Sequence, residues 1–329
     1  MRILVTGGAG FIGSHFVRRL LVAGEDVVVL DKLTYAGNPA NLPDGVELIE
    51  GDIALAEDVN SVGRFDAVVN FAAETHVDRS ILGPDEFVRT DVTGTLVLLQ
   101  AADEQGARYV QVSTDEVYGD IEPGAASKED DPLRPSSPYS ASKAGGDLQV
   151  LAAVRTYGVN ASITRGSNTY GPNQYPEKIL PLFVTNALDG APLPLYGDGR
   201  QVRDWLHVDD HCAGVELVLR EGRPGEIYNV AANEEHENVE LTELILDATG
   251  ADRGLIQHVE DRAGHDRRYS LDTSKLRALG WSSTRNWNEG VRATAEWYRA
   301  NRAWWEPIKR SGGFRDYYER QYARRLAAT

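Results

Sequence analysis

The stretch "ILVTGGAGFIGSHFVRRLL", residues 3–21, contains a buried strand, a glycine-rich turn and an amphipathic helix in direct succession. The apolar residues before the glycines suit the interior of a sheet. After the turn, apolar side chains recur with helical spacing. This order is typical of the first strand, turn and helix of a parallel α/β sheet.

The first half of the chain repeats this alternation of short apolar segments and amphipathic segments. The strands are predicted at residues 2–6, 26–31, 46–51, 67–71, 109–113 and 161–165. The helices are predicted at residues 11–22, 85–104 and 138–157. The alternation predicts an α/β fold of the Rossmann type, with a doubly wound parallel sheet.

The alternation of strands and helices ends after about residue 171, where prolines become more frequent and the elements become shorter. We predict a dinucleotide-binding domain at 1–172 and a smaller, partly interleaved α/β substrate domain at 173–329. The segment "GEIYNVA", residues 225–231, resembles another buried strand. Residues of about 206–233 are therefore expected to return to the first domain.

Composition limits the classes of function. The formal charge of −16 argues against a nucleic-acid-binding or membrane-binding protein. No apolar run is long enough to span a bilayer, and the chain starts directly with a strand, so we expect no signal peptide. The single cysteine, Cys212, fits a reducing compartment, and a cytoplasmic protein is expected. No metal-binding cluster is predicted.

Three features of the first half predict a cofactor site. Gly8, Gly10 and Gly13 satisfy the G-x-G-x-x-G pattern, in which glycines allow the backbone to approach a pyrophosphate at a helix N-terminus. Asp31 ends the second predicted strand, where its carboxylate can accept hydrogen bonds from a ribose. That carboxylate would repel a 2′-phosphate, which favours NAD over NADP despite the neighbouring Lys32. A glycine turn alone can also be purely structural.

Tyr139 and Lys143 are four residues apart and share one face of a predicted helix. A tyrosine with a pKa of about 10 is a poor base, and a neighbouring ammonium and a positive nicotinamide ring would favour its phenolate. Such a pair can also arise by chance in a chain with 14 tyrosines. Its position after a predicted core strand indicates a catalytic pair.

Thr114, Asp115 and Glu116 directly follow the predicted strand 109–113. Adjacent carboxylates at the end of a core strand are costly unless they are paired, neutralised or used in chemistry. One acid and one base in different protonation states is a common catalytic arrangement. The structural alternative is a solvated pair in a loop.

The turn Gly7/Gly10/Gly13 with Tyr139 and Lys143 resembles the extended short-chain dehydrogenase/reductase superfamily. Further segments look like those of the dTDP-glucose 4,6-dehydratases, over nearly the whole chain. They are "LDKLTYAGN" (30–38), "AAETHVDRSI" (72–81), "STDEVYGD" (113–120), "SPYSASKAG" (137–145), "PEKILPL" (176–182), "LPLYGDG" (193–199), "VRDWLHVDDH" (202–211) and "DRAGHDRRYSLD" (261–272).

This resemblance implies a lyase that uses bound NAD to convert dTDP-glucose to dTDP-4-keto-6-deoxyglucose and water, in deoxysugar biosynthesis. Tyr139 would take the O4 proton during oxidation at C4, and Thr114 would bind O4. Glu116 would remove the C5 proton, and Asp115 would protonate the leaving C6 oxygen. The resemblance also implies a homodimer formed through helices 85–104 and 138–157.

The resemblance assigns binding residues position by position. The cofactor set is Gly7, Gly10, Phe11, Ile12, Gly13, Asp31, Lys32, Thr34, Asp52, Ile53, Ala72, Ala73, Tyr139 and Lys143. The substrate set is Thr75, Thr114, Asn168, Lys178, Pro194, Tyr196, Arg203, Asn238, Arg268 and Tyr269, with the two arginines near the diphosphate. Taken singly, the nucleotide-binding positions could be ordinary surface or packing residues.

One position departs from the pattern of the family. The family commonly has Asn-Asn-Tyr-Gly-Pro where this chain has Thr169 as the second residue, and the preceding "RGS" (165–167) is also altered. Contacts to the phosphate or the sugar are expected to change. Two alternatives remain at this point: a nucleotide-sugar 4-epimerase on the same scaffold, and a catalytically silent NAD-sensing protein.

Overall fold

The computed structural model describes residues 1–261 and 265–327. The strands are β1 (Arg2–Thr6), β2 (Asp26–Asp31), β3 (Glu47–Glu50), β4 (Ala67–Asn70), β5 (Arg108–Thr114), β6 (Ala161–Gly166), β7 (Asn168–Tyr170), β8 (Leu193–Tyr196), β9 (Val202–His207), β10 (Ile227–Val230), β11 (Glu235–Glu237) and β12 (Ile256–Val259). The helices are α1 (Phe11–Val22), α2 (Ala56–Ser61), α3 (Val77–Leu82), α4 (Pro84–Val88), α5 (Thr95–Gln105), α6 (Pro138–Tyr157), α7 (Ile179–Asp189), α8 (Val208–Glu221), α9 (Asn238–Thr249), α10 (Ser274–Ala278), α11 (Trp287–Ala300), α12 (Arg302–Arg310), α13 (Gly312–Tyr318) and α14 (Arg324–Ala327).

A seven-stranded parallel sheet, with the order β10-β6-β5-β4-β1-β2-β3, forms the centre of the described part of the chain. Successive residues of a strand face opposite sides, so Ile3 and Val5 pack with α1 and α8 while Leu4 packs with α5 and α6. The strand order reverses between β1 and β4. In such sheets a crevice opens at the carboxyl ends of the strands beside this reversal. The predicted Rossmann-type fold is confirmed.

A second hydrophobic core lies on the carboxyl side of the sheet. It is built from α7, α9, α11 and α12 around the small sheets β11-β9-β7 and β12-β8, and it includes Trp205, Trp287 and Trp305. Between β9 and β11 the chain returns to the large sheet, where β10 pairs in parallel with β6. The two cores enclose the crevice between them. The predicted domain limits, 1–172 and 173–329, stay a prediction.

The predicted helix 85–104 is not continuous. It consists of α4, a π-helical turn at Arg89–Gly94, and α5. A π turn carries an extra residue per turn, and such turns often occur at functional sites. Here the turn contains the buried Asp91, whose Oδ2 accepts a hydrogen bond from Ser142 Oγ on α6 at 2.6 Å. The other predicted elements of the first half agree with the structure to within one residue.

No helix in residues 1–261 and 265–327 is long and apolar enough to cross a lipid bilayer.

Candidate active site

The glycine turn after β1 is shaped by close contacts of its backbone. Gly7 has φ +66°, and a Cβ there would lie 2.6 Å from the backbone nitrogen of Ala72. A Cβ on Gly13 would overlap the carbonyl oxygen of Gly7. Both positions therefore require glycine. The turn leads into the N-terminus of α1 and leaves an open cradle that suits the pyrophosphate of a dinucleotide.

Asp31, the last residue of β2, lies on the opposite side of this turn. Its Oδ1 accepts a hydrogen bond from Leu33 N at 2.8 Å and its Oδ2 accepts one from Ala9 N at 2.9 Å. Burial raises the pKa of Asp31, and the two backbone donors oppose this rise. Each oxygen keeps a lone pair for a ribose hydroxyl. The neighbouring Lys32 ammonium lies 3.1 Å from Asp52 Oδ2, so a carboxylate already neutralises its charge.

One cleft contains every residue that the sequence assigned to the cofactor. From the turn to the catalytic pair, it is lined by Gly7, Gly10, Phe11, Ile12, Gly13, Asp31, Lys32, Thr34, Asp52, Ile53, Ala72, Ala73, Tyr139 and Lys143. It runs along the carboxyl ends of β1, β2, β4 and β5. These residues fit an extended dinucleotide that lies across the strand reversal.

The two adjacent acids reach this cleft because β5 ends at Thr114 and continues as a 3₁₀ turn at Asp115–Tyr118. Thr114 Oγ1 accepts a hydrogen bond from Glu116 N at 3.3 Å and donates one to Asp115 Oδ1 at 3.1 Å. The turn removes the strict alternation of a strand, so neighbouring side chains can face one ligand. Asp115 lines the cofactor cleft, and Glu116 lines both that cleft and a second cavity beside it.

Asp115 is 3% exposed, and burial together with the nearby carboxylate of Glu116 raises its pKa to about 8. Its Oδ2 is buried and accepts no hydrogen bond from a described residue. At neutral pH this group is mainly the carboxylic acid, which is the form that donates a proton. The two adjacent acids therefore differ in environment, as an acid and a base require.

Tyr139 lies near the same turn, and a hydrogen bond with Thr114 favours its phenolate. Burial, Glu116 and Asp91 act more strongly and raise the pKa of Tyr139 well above 10. The sequence had suggested that Lys143 would lower this pKa. The structure differs because burial, followed by the charges of Glu116 and Asp91, raises this pKa, so in the protein alone Tyr139 is a phenol.

Lys143 is buried, and its ammonium donates a hydrogen bond to the carbonyl of Val112 on β5 at 2.9 Å. It also lies 3.9 Å from Asp91 Oδ1. Burial raises the pKa of Asp91 to about 6, against the opposing effect of Lys143. The sequence analysis missed Asp91. The only signal was a single acid in the segment "FVRTDVTGTLVLL" (87–99), which is otherwise mainly apolar or small.

A second cavity adjoins the catalytic end of the cleft. Of the predicted substrate residues it is lined by Asn168, Lys178, Pro194, Tyr196, Arg203, Asn238 and Tyr269, while Thr75 and Thr114 line the cofactor cleft. Four residues line both spaces: Glu116, Asn168, Glu177 and Lys178. The junction of the two spaces therefore lies beside the two adjacent acids, Asp115 and Glu116.

Arg203 and Tyr269 form one wall of this cavity. The Arg203 guanidinium lies 4.3 Å from the ring centroid of Tyr269, and it donates hydrogen bonds to the carbonyls of Val202 and Asp266. Tyr269 Oη donates to Asp266 Oδ2 at 2.7 Å. Backbone and ring contacts thus hold a positive charge in place beside the cavity.

Arg268 is not brought to either space. Its guanidinium forms an ion pair with Glu235 at 2.6 Å and donates hydrogen bonds to the carbonyls of Glu122 and Ala125. Its predicted role at the diphosphate stays a prediction, and this geometry gives it no support. Residues 262–264, part of the same predicted motif, lie outside the described residues.

Thr169, the departure from the family pattern, lies on the cofactor side. Its Oγ1 donates to the carbonyl of Ser167 at 3.1 Å and lies 2.7 Å from His211 Nδ1. Burial lowers the pKa of His211 to about 4, so its ring is neutral. Thr169 lines the cofactor cleft but not the second cavity. The altered residue therefore forms part of the cofactor wall, and the predicted change in phosphate or sugar contacts stays a prediction.

The sequence analysis also missed Glu177 and Tyr322 as lining residues. Glu177 precedes Lys178 in "PEKILPL", so its motif was noticed although its side chain was not. Tyr322 lies in a π-helical turn at Glu319–Ala323, and nothing in the local sequence connects it to a cavity. Among the described residues, no cluster of His, Cys, Asp and Glu could hold a metal ion.

Residues 3–231 match the model of a protein family described as the NAD dependent epimerase/dehydratase family. The chain is 56% identical over 322 residues to a dTDP-glucose 4,6-dehydratase of Streptomyces antibioticus, with 94% of this chain and 96% of the relative covered.

Two solved structures are also similar to the chain. One is the dTDP-glucose 4,6-dehydratase DesIV from Streptomyces venezuelae with NAD and TYD bound, at 54% identity and a TM-score of 0.91, covering 94% of this chain and 100% of that chain. The other is the UDP-glucose 4-epimerase of Thermus thermophilus with NAD, at 34% identity and a TM-score of 0.87, covering 92% and 100%.

Proposed function

This chain belongs to the NAD-dependent epimerase/dehydratase family, and we propose that its reaction is that of a dTDP-glucose 4,6-dehydratase. It is an NAD-dependent hydro-lyase that converts dTDP-glucose to dTDP-4-keto-6-deoxyglucose and water. The observation that carries this conclusion is the pair Asp115 and Glu116, which lies beside Tyr139 with one acid protonated by burial.

The cofactor cleft fits NAD. The cradle at Gly7 and Gly13 has room for a pyrophosphate, and the Asp31 carboxylate can accept hydrogen bonds from the hydroxyls of an adenosine ribose. Bound NAD would supply the redox chemistry of the reaction, as an acceptor for the hydride of C4 and a donor of hydride to C6. The cofactor therefore ends each turnover in its starting form, and we expect it to stay bound.

Tyr139 accepts the O4 proton as C4 is oxidised. Because burial and the surrounding acids hold its pKa high, positive charge is needed nearby to form the phenolate that accepts this proton. Lys143 lies on the same face of α6 as Tyr139, and its hydrogen bond to the Val112 carbonyl of β5 holds it in place. Its ammonium supplies part of that positive charge from the protein. Thr114 positions O4 beside the Tyr139 oxygen.

Glu116 and Asp115 then remove water across C5 and C6. Glu116 takes the C5 proton, the electrons of that bond form the C5–C6 double bond, and the C6–O bond breaks. Asp115 gives its proton to the departing oxygen, so the leaving group is water. A pKa of about 8 keeps Asp115 in the donating form at neutral pH.

A 4-epimerase is the main alternative, because an epimerase shares this fold at 34% identity. Such an enzyme oxidises and reduces C4 alone, and it needs neither a proton acceptor at C5 nor a proton donor at C6. The location of Glu116 at the junction of the two spaces, with Asp115 next to it in the cofactor cleft, favours the dehydratase.

The test is to incubate the purified protein with dTDP-glucose, without added NAD, in D₂O. We expect a 4-keto-6-deoxy product that carries one solvent deuterium at C5. UDP-glucose serves as the matched control for the choice of nucleotide. Conversion to dTDP-galactose would identify an epimerase, and an NAD-loaded protein that leaves dTDP-glucose unchanged would contradict the proposal.

The proposal includes a homodimer formed around α4, α5 and α6. Large apolar side chains are exposed on these helices and the adjoining α3, namely Ile81, Leu82, Val88, Leu96 and Leu148. Exposed apolar groups clustered on neighbouring helices suit a surface that a second copy covers. A monomer in sedimentation at micromolar concentration would contradict this part.

A cytoplasmic location is also proposed, supported by the single cysteine, Cys212, which is buried. Imaging of the tagged full chain in the producing cell would test it.

A further inference from the structure

Glu177 has no role in the reaction described above, although it is 2% exposed and lines both the cofactor cleft and the second cavity. Its carboxylate is held from two sides. Tyr35 Oη donates a hydrogen bond to Oε1 at 2.8 Å, and Arg79 Nε donates one to Oε2 at 2.8 Å. A buried charge with two such partners is a strong local constraint.

Tyr35 belongs to the loop that follows β2 and carries part of the cofactor site. Lys32, Thr34 and Gly37 of this loop line the cleft, and Leu33 N binds Asp31. Tyr35 Oη also lies 2.9 Å from the carbonyl of Thr75, on the loop after β4. Tyr35 thus connects the cofactor loop to the opposite wall of the cleft.

Arg79, on α3, completes the contact. Its guanidinium lies between two aromatic rings, 3.7 Å from the centroid of Tyr35 and 4.5 Å from that of Tyr317. Burial and the charge of Glu177 raise the pKa of Tyr35 well above 10, so its hydroxyl remains a donor. Segments from three distant parts of the sequence therefore meet at one carboxylate.

We propose that Tyr35, Arg79 and Glu177 form a clamp that closes the cofactor cleft and retains NAD(H) through the catalytic cycle. The loop that follows β2 cannot move away from the bound adenosine ribose unless the hydrogen bond from Tyr35 to a buried charge breaks. Retention matters because the cofactor is in its reduced form in the middle of the cycle. If it left at that stage, the oxidised sugar would have no hydride donor. The inference rests on the proposed function only for the identity of the cofactor.

Tyr35→Phe tests the clamp, because it removes one hydroxyl and keeps the ring that stacks on Arg79. The purified protein is loaded with NADH and mixed with excess NAD⁺, and the fall in nicotinamide fluorescence gives the dissociation rate. A hydrogen bond to a charged group corresponds to a roughly ten- to hundredfold change. We expect NADH to leave Tyr35→Phe faster by about that factor.

Tyr228→Phe is the matched control. Tyr228 Oη accepts a hydrogen bond from Arg223 N at 3.0 Å, in β10 and away from both cavities. This variant loses a buried tyrosine hydroxyl as well, but we expect its NADH release to match the unmodified chain. Equal acceleration in both variants would indicate general loosening and overturn the clamp, as would an unchanged rate in Tyr35→Phe.

The assay contains no sugar nucleotide, so its result does not depend on the dehydratase reaction. A second readout uses turnover: Tyr35→Phe should slow progressively without added cofactor and recover when NAD is supplied. The two proposals can therefore fail separately. If Tyr35→Phe releases NADH faster while the unmodified chain does not convert dTDP-glucose, the clamp is supported and the proposed function is refuted.

Discussion

Asp147 and Asp115 are both buried aspartates close to the carboxyl end of β5, but of the two only Asp147 forms an ion pair with a described residue. Asp147, one helical turn after Lys143 on α6, receives a hydrogen bond from Arg165 Nε at 2.9 Å, and neither side chain is more than 1% exposed. Asp115 forms no ion pair with any described residue, and the charge that acts on it most strongly is that of another acid, Glu116, which the weaker effect of Arg203 opposes.

Burial raises the pKa of both aspartates, and the charges of the neighbouring side chains either oppose this rise or add to it. Arg165 opposes the effect of burial at Asp147, whereas Glu116 adds to it at Asp115. A paired buried carboxylate stays charged and holds two elements together. A buried carboxylate beside a like charge keeps its proton, which makes it available for chemistry. The comparison separates a structural acid from a catalytic one.

The largest expected effect comes from removing the catalytic acids. Asp115→Asn and Glu116→Gln keep the shape of each side chain but remove proton transfer, which typically contributes about a hundred- to ten-thousandfold in rate. We expect product formation to fall by at least a hundredfold. In Asp115→Asn, bound NADH should accumulate, visible as nicotinamide absorbance. In Glu116→Gln, deuterium exchange at C5 should be suppressed.

Tyr139→Phe serves as the control for these two variants, because oxidation at C4 is blocked and no NADH signal should appear. Near-normal product formation by both amide variants would mean that Asp115 and Glu116 are structural. The distinction between the two buried aspartates would then fail.

The next effect concerns Asp147→Asn, which leaves the Arg165 guanidinium buried without its negatively charged partner. Breaking a buried ion pair in this way costs about 3–5 kcal/mol in the free energy of unfolding. We expect a clear loss of stability in denaturant titrations, with kcat of the folded fraction little changed. The double variant Asp147→Leu with Arg165→Met should recover most of the loss. A large fall in kcat without a change in stability would assign Asp147 to the chemistry instead.

The pH dependence of stability gives an effect of similar size. The pKa of Asp115 is about 8 in the folded chain and about 3.9 when unfolded. The stability that its protonated form contributes is complete below pH 3.9 and is lost as the pH rises towards 8, by about 1.4 kcal/mol per unit. Asp115→Asn has no such loss. Relative to the unmodified chain, its melting temperature should rise more at pH 8 than at pH 5, and an equal difference at both would contradict the assignment.

The smallest effect is expected at Thr169, which pairs with the neutral His211. Thr169→Val removes the hydroxyl and leaves a buried ring nitrogen without its partner, at a cost of about 1–3 kcal/mol. We expect a lower melting temperature, and Thr169→Ser should retain the stability of the unmodified chain. An unchanged melting temperature in Thr169→Val would show that this contact contributes nothing to the cofactor wall.

The cofactor half of the site could be predicted from the sequence because its signals are local. Gly7, Gly10 and Gly13 lie in one turn, Asp31 ends a strand of recognisable pattern, and the spacing of Tyr139 and Lys143 indicates a shared helix face. The strand periodicity then predicts that all of these reach one edge of the sheet. The structure brings them into one cleft.

The rest of the site could not be predicted, because it depends on contacts between segments that are distant in the sequence. Tyr35 and Glu177 meet across 142 positions, and Asp91 meets Ser142 across 51. Neither contact leaves a periodic trace in the sequence. Arg268 shows the opposite case, because its motif was recognised while its side chain binds Glu235 instead of facing a cavity. A motif identifies a segment, but the packing around that segment decides where a side chain points.

The return of the chain to the large sheet affects the order in which the protein can fold during synthesis. Strand β6 ends at Gly166, but β10, which covers its outer edge, begins only at Ile227. Until the ribosome has made β10, the backbone groups along that edge of β6 have no strand to pair with. Exposed edges of this kind attract other chains, and pairing between distant strands is slow. A nascent chain is therefore most prone to aggregate between the completion of β6 and the arrival of β10.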